Sequence, residues 1–298
     1  MPIRTLAAVG VGGLLLSGCG GSPTAGAGPS TSELRSRIPE AVRKAGVLKV
    51  ASYLNYAPVD FRGQDGEPAG LDPELATALG EYLGLKVEFQ DMPFASVIPA
   101  VQDKKVDMAM SAVIDTKQRQ DGTDDHGLPS AAGVDFIDYF MTGTSILVKK
   151  GNPAGIGSLD DLCGHTVALQ QGTVQDELAQ RQVGACAKND KQLQIHEVKG
   201  DEQALAEVTA GTAVADLNDF PVAEYNTTSH STGKFEVVGT SVQSSPYGIT
   251  LNKDSTDLQY VLAKALDQLI RDGRYDKILA KWNIGFGAVA SSVVNGGL

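Results

Sequence analysis

Residues 107–119, DMAMSAVIDTKQR, change character half-way along. The first part is a mixed apolar run that is typical of a buried strand, and the polar residues Asp115, Thr116 and Arg119 follow it. In open α/β sheets, ligands bind just beyond the carboxyl ends of the strands. A guanidinium in that place can hold a carboxylate through two parallel hydrogen bonds, so Arg119 is a candidate anion-binding residue. The alternative is a solvated arginine in the first turn of a helix.

The composition narrows the class of protein. The 298 residues are 42% hydrophobic and 20% charged, which is an ordinary globular composition and enough chain for two lobes with separate cores. The net charge of −11 argues against nucleic-acid binding, which requires a basic surface. The four histidines are scattered, and there is no HExxH, CxxC or GxSxG motif. We therefore expect no metal, no cofactor and no Ser-His-Asp triad.

The N-terminus has the pattern of a bacterial export signal. Arg4 precedes an apolar run at residues 6–16 that is too short to span a bilayer and fits the core of a signal peptide. The next residues, ending at Cys19, resemble a lipobox, in which the cysteine is diacylated; a free cysteine in an ordinary secretory signal is the alternative. We expect a lipoprotein signal peptide at residues 1–18, a flexible tether at 19–32, and a lipid anchor on the outer face of the cytoplasmic membrane.

Cys163 and Cys186 are the two other cysteines of the chain. An exported protein meets an oxidising environment, in which cysteines tend to pair. We predict a disulfide between these two residues. It would close a loop of about two dozen residues and contribute roughly 3 kcal/mol by constraining the unfolded chain.

The first part of the folded body has a βαβαβ pattern. Strands are expected at residues 47–51, 85–89 and 106–113, with helices between them. The first of these helices has Asp72 as its predicted N-cap and stops at Gly84. This alternation predicts a parallel sheet covered by helices.

A second βαβαβ pattern follows. Strands are expected at residues 166–170, 194–198 and 212–217. A helix begins just after Thr173, where free backbone N–H groups and the helix dipole favour an anion. Asp219 follows the last of these strands, and it could be a helix N-cap, a ligand for a cation, or both.

One strand leaves the first unit near Thr144 and another returns near Tyr247, which indicates two crossings and a hinge. We therefore expect an α/β fold of two lobes joined by a two-strand hinge. The expected division is lobe I at residues 33–140 and 246–287, lobe II at residues 141–245, and a C-terminal tail at residues 288–298.

The residues of chemical interest stand beyond the ends of predicted strands. Arg119 with the amides near Thr173 would take a carboxylate, and Asp219 would take an ammonium group. The side chain of the ligand would contact three aromatic residues, Tyr53, Tyr56 and Phe94. Taken singly, such aromatic residues are more often part of a core. Together, the charges are complementary to a zwitterion.

From about residue 46 to residue 282, the chain resembles the family 3 extracellular solute-binding proteins, the amino-acid receptors of ABC importers. The resemblance rests on several blocks that occur in the same order: GVLKVASYLNYAP, GLDPELA, DMAMSAVIDTKQR, SLDDLCG, ALQQGTVQDELA, AGTAVADLNDFPVAEY, YGITLNK and RDGRYDKILAKW. It implies the type II periplasmic-binding-protein fold, with two hinged lobes.

The resemblance also implies roles for individual residues. Arg119 of the TxxR motif would bind the carboxylate of an amino acid, Asp219 its ammonium group, and Tyr56 would stack on the ligand. The ligand contacts that the family makes at a strand end and at a helix start fall on Ser111, Thr173 and Gln175 of this chain.

The chain departs from the family pattern at three positions. Ile114 stands where the family often has a hydroxyl, and Val174 where many members have Thr. Tyr53 occupies a position that is acidic in the members that bind basic amino acids. This difference favours a polar or neutral amino acid over Lys, Arg or His.

The leading hypothesis is that a monomer captures a polar or neutral amino acid, or a close analogue, and delivers it to a membrane permease and ATPase. It needs no covalent chemistry. One alternative is an enzyme of the same fold, similar to cyclohexadienyl dehydratase, which would require an acid/base group in the cleft. No histidine falls at a predicted strand end, which counts against it. Another alternative is a sensory module that reports ligand occupancy to a membrane kinase.

Overall fold

The computed structural model describes residues 28–124, 126–228 and 233–298. The expected signal peptide, Cys19 and most of the expected tether lie outside these residues. The first helix begins at Thr31, slightly before the expected start of the body. The reason is a capping box, in which the Ser30 side chain accepts from the Glu33 amide and the Glu33 carboxylate accepts from the Ser30 amide.

The helices and strands alternate along much of the chain. The helices are α1 (Thr31–Arg37), α2 (Glu40–Ala45), α3 (Leu71–Leu83), α4 (Phe94–Gln102), α5 (Lys117–Asp121), α6 (Val174–Ala187), α7 (Asp201–Ala210), α8 (Phe220–Thr227), α9 (Thr256–Arg271) and α10 (Arg274–Lys281). The strands are β1 (Val47–Ser52), β2 (Asn55–Tyr56), β3 (Asp60–Arg62), β4 (Pro68–Ala69), β5 (Lys86–Asp91), β6 (Met108–Ala109), β7 (Val134–Lys149), β8 (Thr166–Gln170), β9 (Gln194–Val198), β10 (Ala215–Asp219), β11 (Phe235–Asn252) and β12 (Val293–Val294). None of the helices in the described ranges combines the length and apolarity that a membrane crossing requires.

One large sheet runs through both lobes in the order β5-β1-β6-β11-β7-β10-β8-β9. At one end β1 pairs in parallel with β5 and β6, and at the other β8 pairs in parallel with β9 and β10. These parallel groups are the two βαβαβ units that the sequence predicts. The predicted two-lobed α/β fold is confirmed.

The long strands β7 and β11 form the two-strand hinge. They pair antiparallel from Lys149↔Phe235 in lobe II to Val134↔Asn252 in lobe I. The pairing shifts register between Val238 and Ser245, and such irregularities bend a strand pair. These register shifts lie near the crossings that the sequence predicts, and we keep the boundaries at 140/141 and 245/246 as a proposed division.

Each lobe has its own apolar core. In lobe I, α3 and α9 cover the sheet, and the buried side chains include Leu79, Tyr139 and Leu262. In lobe II, α6 packs on β8, and Cys186 is buried within that core. The predicted disulfide is confirmed, since Cys163 is bonded to Cys186.

The structure corrects two local predictions in lobe I. Asp72 is not the N-cap of α3, because Gly70 occupies that position at φ 118° and a β-carbon there would lie 2.3 Å from the Val59 carbonyl oxygen. Asp72 is instead fully buried and accepts hydrogen bonds from the Ala112 amide at 2.8 Å and the Tyr139 hydroxyl at 2.5 Å. Strand β6 is shorter than the predicted strand at residues 106–113, and Ala112, which lies between β6 and an isolated bridge from Ile114 to Tyr247 of β11, has a positive φ of 50°.

Candidate functional site

A cavity lies between the lobes, beyond the carboxyl ends of β1 and β6 on one side and of β8 and β10 on the other. The empty space between its lining atoms, with the open solvent at its mouth included, is about 330 Å³. The eight candidate ligand-binding residues all line it: Tyr53, Tyr56, Phe94, Ser111, Arg119, Thr173, Gln175 and Asp219. The lining is completed by Ala112, Ile114, Gln170 and Val174. The cavity therefore lies where the strand-end argument expects a ligand.

Arg119 reaches the cavity from the short helix α5. The TxxR motif forms the start of this helix, because Thr116 is the N-cap and its hydroxyl accepts from the Arg119 amide at 3.3 Å. The guanidinium donates from Nη1 to the Ile114 carbonyl at 2.8 Å and from Nη2 to the Gly172 carbonyl at 3.1 Å. Since Gly172 belongs to lobe II, the cation of Arg119 bridges the two lobes.

Within the part of the chain that the structure describes, the Arg119 guanidinium donates to main-chain carbonyls and to no carboxylate. Burial lowers the pKa of Arg119, and the negative charges of Glu177, Asp219 and Asp115 act in the opposite direction. An arginine starts from a pKa so high that it stays protonated. The cavity therefore contains a fixed positive charge that could bind an anion.

Asp219 provides the facing negative charge. It is the last residue of β10 and occupies the N-cap position of α8, but its side chain makes no cap hydrogen bond. Its Oδ1 accepts from Gln175 Nε2 at 2.9 Å, and its Oδ2 lies 3.0 Å from the Tyr56 hydroxyl. The carboxylate of Asp219 is thus available to the cavity and is not used to cap a helix.

Burial raises the pKa of Asp219 to about 6, although the hydrogen bonds from Tyr56 and Gln175 and the charge of Arg119 lower it. Asp219 is 4% exposed. A buried carboxylate without an adjacent cation loses its hydration, which disfavours the charged form. A cation bound beside Asp219 would restore the ordinary ionisation.

Tyr56 joins the lobes on one side of the cavity. Its hydroxyl lies 2.6 Å from Asn218 Oδ1 and accepts from the Asp219 amide at 3.3 Å. A phenol has one proton, so it can donate to Asn218 or to the Asp219 carboxylate, but not to both at once. Because the Tyr56 hydroxyl has two alternative acceptors, its hydrogen bond to lobe II can rearrange easily.

Tyr53 joins the lobes at the rim of the cavity. Its hydroxyl donates to Glu202 Oε2 at 3.1 Å, and Asn55 Nδ2 donates to the same oxygen at 2.8 Å. Glu202 lies in the first turn of α7, and the sequence reasoning missed it. The signal was available, because α7 begins shortly after the carboxyl end of β9.

Two candidate residues have hydroxyls that are already paired. The Thr173 hydroxyl accepts from the Asp176 amide at 3.1 Å and donates to the Gln170 carbonyl at 2.8 Å, so it caps α6. The Ser111 hydroxyl donates to Asp60 at 2.7 Å and accepts from the Tyr53 amide at 2.9 Å. Each hydroxyl has used its single proton, so each can only accept from a ligand.

Among the residues that the structure describes, no group of three or more His, Cys, Asp or Glu side chains is arranged to hold a metal ion. The polar groups of the cavity are instead one guanidinium, one carboxylate, amides and hydroxyls. Such a set can bind a small dipolar molecule by charge and hydrogen bonding.

Comparison with known proteins agrees with this geometry. The family model "Bacterial extracellular solute-binding proteins, family 3" matches residues 48–285. The chain belongs to this family. The match includes all eight candidate residues and both lobes.

Relatives in the family carry names that refer to amino acids. The arginine-binding protein ArgT of Corynebacterium glutamicum is 28% identical over 88% of this chain and 83% of its own length. A solved ancestral arginine-binding protein, bound to glutamine, is 31% identical, covers 80% of this chain and 98% of its own, and superposes with a TM-score of 0.70. The ancestral amino-acid-binding protein AncCDT-1, a precursor of cyclohexadienyl dehydratase, is 32% identical with a TM-score of 0.70, over 81% of this chain and 97% of its own.

Proposed function

We propose that this family 3 solute-binding protein captures a free amino acid in the cavity between its lobes. The observation that carries the proposal is the presence of one cation from lobe I and one carboxylate from lobe II on the same cavity, at Arg119 and Asp219. Arg119 would hold the carboxylate of the amino acid together with backbone N–H groups near Thr173. Asp219 would hold the ammonium group.

The side chain of the ligand would lie among Tyr53, Tyr56 and Phe94. We propose a polar or neutral side chain, because Tyr53 replaces the acidic residue that the basic-amino-acid binders have at this position. Ser111 and Gln175 would add hydrogen bonds. The names of ArgT and of the ancestral arginine-binding protein make a basic amino acid the competing choice.

We further propose that the protein works for an ABC importer. After export, a lipid on Cys19 would hold the chain at the outer face of the cytoplasmic membrane. The ligand-bound monomer would then deliver the amino acid to a permease and its ATPase. No step in this sequence requires the protein to break a covalent bond.

A thermal-shift screen of the purified protein tests the binding proposal. The ligands are the standard amino acids, opines, polyamines and small organic acids, and isothermal titration then measures the affinity of those that stabilise the protein. We expect stabilisation by one or a few amino acids. Stabilisation only by ligands that lack either the carboxylate or the ammonium group would contradict the proposal.

The likeness to AncCDT-1 makes a dehydratase the second candidate. Asp219, with a pKa raised to about 6 by burial, is the residue in this cavity that could exchange a proton near neutral pH. Incubation with prephenate or arogenate, followed by detection of the aromatic product, distinguishes the two functions. Product formation that disappears in Asp219→Asn would favour the enzyme.

A further inference from the structure

The last residues of the chain lie against the segment that carries Arg119. We name residues 293–298 the strap. The strap begins with β12, in which Val293 pairs with Asp138 and Val294 pairs with Ile137 of the hinge strand β7. The family match ends at residue 285, so the strap lies outside it. Its contacts are therefore a feature of this chain that the family assignment does not explain.

The strap is bonded to the start of α5. The Gly297 amide donates to Oδ2 of Asp115 at 2.8 Å, and Gln120 Nε2 donates both to Oδ1 of Asp115 at 2.8 Å and to the Gly297 carbonyl at 3.3 Å. The Lys117 amide, in the first turn of α5, donates to the Leu298 carbonyl oxygen at 3.3 Å. Asp115 is fully buried, so these bonds are shielded from water.

The contact at Gly297 requires the absence of a side chain. A β-carbon on Gly297 would lie 2.2 Å from the Asp115 carbonyl oxygen and 2.5 Å from its carbonyl carbon. These two nearest atoms are backbone, which cannot rotate out of the way, and the Asp115 side-chain Cγ follows at 2.6 Å. Any larger residue at this position would push the strap away from Asp115.

Helix α5 needs such external support. It is a helix of 5 residues, and isolated helices of that length are unstable in water. Its stability must come from the Thr116 cap and from packing, and the strap supplies bonds on both sides of that cap. Arg119 lies on this helix, and a bidentate guanidinium–carboxylate pair tolerates displacements of only about 0.5 Å.

We propose that Gly297, acting through Asp115, is a positioning residue for Arg119. The strap holds the first turn of α5 and thereby sets the position of the guanidinium that binds the carboxylate of the ligand. The assignment of the carboxylate to Arg119 rests on the proposed function, whereas the contacts between strap and helix do not.

The test compares Gly297→Ala with a matched control, Gly285→Ala. A β-carbon at Gly285 would have no heavy atom within 4 Å, so the same substitution is accommodated there. Hydrogen exchange is measured for peptides that contain residues 115–121. Affinity is measured as the midpoint of a thermal-shift titration with an equimolar mixture of the standard L-amino acids.

We expect faster exchange over residues 115–121 in Gly297→Ala and a midpoint about tenfold higher, the equivalent of losing one charge-assisted hydrogen bond. Gly285→Ala should behave as the wild type. If Gly297→Ala does not fold, Asp115→Asn serves instead, because it keeps the size of the side chain and leaves one acceptor oxygen for two donors, the Gly297 amide and Gln120 Nε2. Asp115→Asn should give the same faster exchange over residues 115–121 and the same higher midpoint.

A double-mutant cycle separates positioning from a general loss of stability. Arg119→Lys keeps the cation but loses the planar fork, so adding Gly297→Ala to it should cost clearly less than tenfold. An equal cost in both backgrounds, or an unchanged midpoint in Gly297→Ala, overturns the inference. A wild-type protein that no amino acid stabilises would instead overturn the proposed function.

Discussion

The two charges of the cavity are held in different ways. The Arg119 guanidinium donates to main-chain carbonyls of Ile114 and Gly172, which move only with the backbone. The Asp219 carboxylate is bonded to the side chains of Tyr56 and Gln175, which can rotate. The comparison indicates that the guanidinium side of the cavity is preset, and we expect the carboxylate side to exchange hydrogen-bond partners when a ligand binds.

The largest effect is expected at the preset side. Arg119→Ala should weaken amino-acid binding by about a hundredfold or more, because two hydrogen bonds between ions are lost at about 1.5–3 kcal/mol each. Isothermal titration measures the affinity. The control is Lys117→Ala on the same helix, whose exposed side chain pairs with Asp121 and should leave binding unchanged. Binding that survives Arg119→Ala would place the carboxylate elsewhere.

Asp219→Asn tests the exchangeable side and should have the next largest effect. We expect about thirtyfold weaker binding of an amino acid, because the ammonium group loses its ionic partner but keeps a hydrogen-bond acceptor. A ligand of the same shape without the α-amino group provides the internal control and should lose much less. Equal losses for both ligands would mean that Asp219 does not contact the ammonium group.

The pH dependence of ligand binding should come from the Asp219 side of the cavity and not from the Arg119 side. Asp219 has a pKa raised to about 6 by burial, and a bound ammonium group would lower it, so binding releases a proton. Affinity should therefore be constant above pH 7 and fall about tenfold by pH 5. Titrations across this range measure it.

Asp219→Asn supplies the control for this pH dependence, since it removes the titrating carboxylate. Asp201, with a pKa raised to about 6 by burial, and Asp72, raised to about 7, titrate in the same range but do not line the cavity. A slope that persists in Asp219→Asn would assign the proton to such a group.

Tyr56→Phe should have the smallest effect on affinity, within about fivefold at pH 8, because one neutral hydrogen-bond donor is lost. The hydroxyl bond lowers the pKa of Asp219, so its removal should shift the pH midpoint of binding upward. The same titrations measure both quantities. A large loss of affinity with no shift in the midpoint would mean that Tyr56 contributes through contact with the ligand alone.

The sequence predicted some elements closely and others poorly. The bounds of β8 and β9 agree with the prediction, because hydrophobic alternation and turn residues mark them locally, whereas β10 begins three residues after the predicted start at residue 212. The predictions for strand β6 and for the N-cap of α3 were wrong. Asp72 is buried and bonded to the Ala112 amide, 40 positions away, and local sequence patterns do not show such a contact.

In the candidate site too, neighbouring residues marked what could be predicted, and contacts between distant residues could not be predicted. Strand ends and the family resemblance selected eight residues that the fold brings to one cavity, and their roles in binding stay predictions. Glu202 was missed although it follows a strand end, because the sequence does not show its contacts with Tyr53 and Asn55, which lie 149 and 147 positions away.

The sequence by itself determined the order of helices and strands in the two βαβαβ units, and the cysteine pair. Each depends on patterns of neighbouring residues or on the count of a residue type, which a linear chain displays. Only the tertiary structure decided that Tyr56 would reach Asp219 and that Gly297 would bond to Asp115, 182 positions away. Contacts of this kind depend on how the lobes close and on where the chain end packs, and no local periodicity encodes either.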